Sequence, residues 1–214
     1  MDKTRQLARL MEVLHQGEQL AADTAAQQSA MAPVPWMRHA LQVQAAQERN
    51  HAALARTAAR LTGTSQILTG TPDVYAALRQ RLDHDLATGD LACSLLGLQG
   101  VIEHMGEVLL EQLGHQAHPA GAVLHALRRK VLAQEHGHVQ LGARCLQTLG
   151  HRTATIHALD CYRTLGRHAV MQVTELLDDA QLDAGTYWRR IESRLDDWQR
   201  RACLPYAPVA PALP

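Results

Sequence analysis

The chain has no phenylalanine, and all aromatics together make up only 3% of its 214 residues. Residues that favour strands are scarce, while Ala and Leu, both strong helix formers, dominate the 46% hydrophobic fraction. An all-helical protein is expected. Net charge is lacking too. Lys plus Arg equals Asp plus Glu at 21 each, so the basic footprint of a nucleic-acid binder is missing. The short Arg128-Arg129-Lys130 run sits inside a helical pattern and reads as a solvated face. The four cysteines, Cys93, Cys145, Cys161 and Cys203, never form a CxxC pair, which argues against a zinc ribbon or rubredoxin module. No run of about 18 apolar residues suggests a membrane span, and the charged Met-Asp-Lys-Thr-Arg start does not resemble a signal peptide. The expectation is a cytoplasmic protein that engages neither membrane nor nucleic acid.

Punctuation divides what is present into long helices. The first spans about Thr4 to Ala30 and stops at Pro33 and Pro35. The second runs from Pro35 or Trp36 to Leu61, with Gly63 beyond. A polar stretch, Thr62 to Thr71, leads to a short helix from Pro72 or Asp73 to about Leu82. A third long helix covers about Asp85 to Leu113, closed by Gly114. A fourth covers about Pro119 to Leu149, closed by Gly150. A fifth is expected over Thr153–Leu177 and a sixth over Ala184–Cys203, followed by a Pro-rich tail at 205–214. Two tightly linked helix pairs joined by one long crossover make a four-helix bundle over about 4–149. With the helices of about 153–203 added, residues 1–204 form one expected domain.

The informative feature is a repeat. Ala46-Gln47-Glu48-Arg49-Asn50-His51 and Ala133-Gln134-Glu135-His136-Gly137-His138 both read AQExxH, 87 residues apart. Glu and His three residues apart share a helix face and can reach one metal pair. A two-metal site also needs a carboxylate from each remaining helix. Glu18 lies 30 residues before Glu48, and Glu103 lies 32 before Glu135. All six sit on apolar stripes, for example Leu14-Glu18-Ala21 and Leu96-Gln99-Glu103-Gly106. Four carboxylates converging in a core would repel one another unless cations and neutral imidazoles join them. Glu18, Glu48, His51, Glu103, Glu135 and His138 are the expected ligands. Glu107, one turn after Glu103, is an alternative or additional one. A third ExxH, Glu12 with His15, lies on the polar stripe of the first helix and reads as surface. His104 and His136 point about 100° away from their neighbouring ligands and read as surface or supporting groups.

At these residues the chain resembles the ferritin-like superfamily of di-iron carboxylate proteins over about residues 4–149. Gly17-Glu18-Gln19-Leu20-Ala21 with Ala46–Ala52 looks like the first half of a rubrerythrin-type domain. Glu135–Gly142 is similar to the fourth-helix motif of ferritin-like oxygenases and oxidases. The resemblance implies a ferritin-like bundle binding two Fe ions, or Mn/Fe, that activates O2 with an external electron donor. Gly106 stands where rubrerythrins carry a further Glu, which lowers a peroxidase reading. About fifty additional helical residues disfavour a storage cage. Tyr75 falls in the crossover and Tyr162 in the fifth helix, so no radical-forming tyrosine is identified. The leading expectation is an oxidase or oxygenase of a small organic substrate, with ferroxidase, peroxidase or iron handling as the alternative. A non-catalytic metal-stabilised scaffold comes third. The small residues Gly17, Ala21, Ala22, Ala45, Ala52, Ala55, Gly106 and Gly142 either leave an apolar pocket or merely allow close packing. The two C-terminal helices are expected either to pack against the bundle or to form a homodimer contact.

Overall fold

A computed structural model describes residues 3–61, 73–113, 121–150 and 153–202. Helices α1 (Lys3–Met31) and α2 (Pro35–Leu61) form the first hairpin. The crossover carries α3 (Ala76–Ala87). The third rod is α4 (Leu91–Leu95), a π-helical stretch (Leu96–Ile102) and α5 (Glu103–Leu113). It packs with α6 (Gly121–Leu149) to complete the bundle. After it come α7 (Thr153–Gln172), α8 (Thr174–Asp179) and α9 (Ala184–Arg201). No strand occurs among the described residues. Among the described residues, no helix is long and apolar enough to cross a membrane.

Several boundaries differ from the sequence reading, and the crossover helix itself runs Ala76–Ala87 rather than from Pro72 or Asp73 to Leu82. The third rod starts at Leu91 rather than Asp85, because Gly89 takes a left-handed conformation (φ 79°) and ends α3. The Asp90 side chain then accepts from the Cys93 amide at 3.0 Å and starts a new helix. Asp85 belongs to the crossover helix instead. There it accepts from both Arg81 Nε (2.9 Å) and the buried Tyr162 hydroxyl (2.7 Å), tying α3 to α7. The fifth helix breaks at Val173 (φ −109°, ψ 17°) into α7 and α8. Gly150 closes α6 at φ 76°, as expected for a helix terminus. The expected ends at Gly63 and Gly114, and the tail at 205–214, lie outside the described residues. Cys93, Cys145 and Cys161 are free thiols.

The π-helical stretch has its own physical logic. A wide turn costs hydrogen-bond geometry and persists where surroundings enforce it. Here Gly97 and Gly100 leave room for rings from the C-terminal helices. A Cβ on Gly97 would lie 2.3 Å from Tyr162, and one on Gly100 would lie 3.1 Å from Trp198. Trp198 also covers Gly142 and donates to the Val139 carbonyl at 2.8 Å. Helices α7 and α9 therefore share one hydrophobic core with the bundle.

Candidate metal centre

Six side chains from four helices meet in the bundle core. Helix α1 brings Glu18, α2 Glu48 and His51, α5 Glu103, and α6 Glu135 and His138. They form two groups whose candidate ligand atoms lie within 4.8 Å of one another. One holds Glu18, Glu48, His51 and Glu135. The other holds Glu48, Glu103, Glu135 and His138. Glu48 and Glu135 belong to both groups. His51 Nδ1 lies 3.0 Å from Glu48 Oε2, 3.0 Å from Glu135 Oε1 and 3.5 Å from Glu18 Oε2. His138 Nδ1 lies 2.6 Å from Glu48 Oε1 and 3.3 Å from Glu103 Oε2. Five of the six are buried, and the Glu18 side chain keeps 11% of its surface exposed.

The electrostatics are those of a cluster built for cations. Burial, then the charge of Glu135, pushes Glu18 well above the usual carboxylate range. Burial, then Glu48, does the same to Glu103, and burial, then Glu103, to Glu135. Burial would raise Glu48 too, but its contacts with His138 and His51 outweigh this and pull it down to about 2. Burial opposes charge on His51, yet Glu135, Glu18 and Glu48 outweigh it and hold the imidazole well above its ordinary value. Two oxygens decide the fit. Glu48 Oε1 and Glu135 Oε1 are sealed from solvent and accept no hydrogen bond, although an imidazole nitrogen stands 2.6 and 3.0 Å away. Buried orphan acceptors are costly. A pair of divalent cations sharing Glu48 and Glu135 would satisfy both, and a carboxylate–imidazole donor set suits iron or manganese.

The outward nitrogens explain the rest of the repeat. His138 Nε2 bonds Gln47 Oε1 at 2.7 Å, and His51 Nε2 bonds Gln134 Oε1 at 3.0 Å. Each glutamine of an AQExxH motif thus holds the histidine of the other motif. An amide oxygen accepts from Nε2–H, which leaves Nδ1 facing the carboxylates as the nitrogen a bound cation would take. Sequence reading singled out Glu and His and passed over this glutamine, although the repeat contained it. It also missed a buried amide chain. Gln44 Nε2 donates to Glu103 Oε1 at 2.6 Å, Gln99 Nε2 to Gln44 Oε1 at 2.9 Å and to Gln28 Oε1 at 2.8 Å, and Gln28 to Ser94 at 3.3 Å.

The other candidates lie apart from the cluster. Glu107 has both oxygens engaged, Oε2 with Arg194 at 2.9 Å and Oε1 with His136 at 3.2 Å, and belongs to neither group. His104 is not at the surface. It is buried edge-on against Trp198, with Nδ1 2.5 Å from the Gly100 carbonyl across the π turn, and burial pushes it down to about 4. His15 of the third ExxH turns to the Ala52 carbonyl at 3.0 Å. Close packing accounts for Gly17 and Gly142. A Cβ on Gly17 would lie 2.9 Å from the Tyr75 hydroxyl, and one on Gly142 would lie 2.3 Å from Gln99 Cβ. A cleft of about 290 Å³ opens away from the carboxylates, lined by Arg9, Val74, Met171 and Val173 among others.

No sequence-family model matches the chain, and no curated protein does. Among solved structures, one described as a protein 19 with aldehyde deformylating oxidase activity, from Synechococcus, superposes with a TM-score of 0.84. It is 15% identical, over 96% of this chain and 93% of that one. Together with the all-helical architecture, this likeness shows that the chain has the ferritin-like helical-bundle fold.

Proposed function

We propose that the chain is an O2-dependent dimetal oxidoreductase that oxidises a small organic substrate, with iron at both positions or a manganese–iron pair. The observation that carries this reading is the convergence of four carboxylates and two inward-facing Nδ1 atoms around orphaned oxygens of Glu48 and Glu135. The oxidase activity named for the structural neighbour supports it as an analogy of fold.

Glu18 and His51 would hold one ion, Glu103 and His138 the other, with Glu48 and Glu135 shared. When bound, such a pair supplies reducing electrons to dioxygen and oxidising power to a nearby substrate. The chain's own residues prepare for this. Gln47 and Gln134 fix the imidazoles in the tautomer that presents Nδ1 inward. The aromatic rings over Gly17, Gly97, Gly100 and Gly142 exclude water from the core. With two divalent cations bound, the charges of cations and four carboxylates would cancel, giving a neutral centre in an apolar surround.

The test is anaerobic loading with ferrous iron followed by exposure to O2. Two irons per chain and O2 consumption in wild type, both lost in Glu48→Ala and Glu135→Ala, are expected. Less than one iron per chain with no O2 consumed would defeat the reading. Ferroxidase or peroxidase chemistry is the second reading. The tight packing over Gly17 and Gly142 favours it, because Tyr75 fills the space at the first and Gln99 with Trp198 that at the second. Ferric product formed as fast as O2 is consumed, with no acceleration by any organic compound, would select it.

A further inference from the structure

We infer that the two halves of the centre are unequal: Gln44 fixes the Glu103-side ion in a tight position, and the Glu18-side ion is the weak, exchangeable one. This rests on the dimetal reading above.

The two end carboxylates are equivalent in the sequence pattern but not in their surroundings. Glu103 is buried, and its Oε1 accepts from Gln44 Nε2 at 2.6 Å. A bond that short to a carboxylate is charge-assisted and directional. Gln44 itself has no freedom to turn. Its Oε1 is held by Gln99, which is held by Gln28, which is held by Ser94, and all four are 0–1% exposed. Gln44 therefore leaves Glu103 one oxygen for an ion, Oε2, which stands 3.3 Å from His138 Nδ1. Its backbone is also fixed, since it follows directly on the π-helical stretch that Tyr162 and Trp198 hold in place.

Among the described residues, no amide donates to Glu18 as Gln44 does to Glu103. Glu18 stands 3.5 Å from His51 Nδ1, and its side chain is the one partly exposed member of the six. The repeat states the same asymmetry. The motifs are offset by 87 residues, so the position that matches Gln44 is Val131, whose side chain has no hydrogen to donate. Glu18 is free to rotate, to bind through one oxygen or two, and to yield a coordination position to an incoming small molecule. Glu103 is not.

Cobalt(II) titration of the full-length chain, followed by calorimetry and visible absorbance, tests this. Wild type should fill in two steps separated by at least about tenfold in affinity. Glu103→Gln should abolish the tight step, and Glu18→Gln should abolish the weak step while the tight one remains. Gln44→Leu should weaken the tight step by about 10–100-fold, the usual effect of removing a group that orients a metal ligand. A single step in wild type, loss of the tight step in Glu18→Gln, or an unchanged tight step in folded Gln44→Leu would each overturn the inference. The Glu18 and Glu103 variants decide it even if Gln44→Leu does not fold. Two ions bound in one step would leave the dimetal reading standing and remove only this inequality. A folded wild type that binds no ion would remove both.

Discussion

Exchanging Gln47 for Leu should weaken the ion held by the histidine of the other motif, not the ion held by its own. Gln47 is on α2, one residue from Glu48 and four from His51, yet its amide oxygen meets His138 Nε2 of α6 at 2.7 Å. Gln134 does the same for His51 at 3.0 Å. Loss of such an orienting bond lowers metal affinity by about 10–100-fold, or about 1.4–2.8 kcal/mol. The shorter Gln47 bond should give the larger loss. The assay is the stepwise cobalt titration, with His51→Ala and His138→Ala as markers of which step is which. Gln47→Leu should weaken the step that His138→Ala removes, and Gln134→Leu the step that His51→Ala removes. If each glutamine instead weakened the step of its own motif's histidine, the crossed pairing would be wrong. Equal weakening of both steps by either variant would show a general loss of packing and refute the reasoning as well.

Loading with divalent cation should stabilise the chain, because only the folded state brings the four carboxylates together. A hundredfold excess over the dissociation constant gives about 2.7 kcal/mol per ion, so the melting temperature should rise by at least about 5 °C and fall back on chelation. Glycines on α6 should respond oppositely to alanine. Gly142→Ala drives a Cβ to 2.3 Å from Gln99 Cβ, and overpacking of about 1–3 kcal/mol should lower the melting temperature. Gly137→Ala meets nothing within 4 Å and should raise stability by up to about 1 kcal/mol, so thermal melts of the pair separate crowding from helix propensity. Tyr162→Phe removes the 2.7 Å bond to the Asp85 carboxylate and should cost about 1.5–3 kcal/mol in denaturant unfolding. Its two-ion stoichiometry should be unchanged, since Tyr162 lies outside both groups.

The bundle and its six converging residues were legible because each signal is local and periodic. Glu48 with His51 and Glu135 with His138 declare a shared helix face by spacing alone, and a carboxylate on an apolar stripe demands a partner. What escaped was set by other parts of the chain. Leu96–Ile102 reads as ordinary apolar helix, and its wide turn follows from Tyr162 and Trp198 pressing on Gly97 and Gly100 from helices far along the sequence. Glu107 was ambiguous because Arg194, its partner, lies on α9. Gln28, Gln44 and Gln99 look like scattered polar residues until three helices place their amides in a row. Gly89 and Asp90 were a missed local signal, a left-handed stop followed by a cap.

The rings that rest on glycine have a consequence for how such a chain can change. Trp198 fills the space over Gly100 and Gly142, and Tyr162 that over Gly97. Each pairing is a lock whose two halves sit on distant stretches of sequence. A shortened chain ending before α7 would inherit the notches without the keys, leaving holes in the wall nearest Glu103. Descendants that lose the last helices would have to refill those notches in step. The glycines and the C-terminal aromatics should therefore be gained and lost together, a correlation that owes nothing to the clustered carboxylates and histidines themselves.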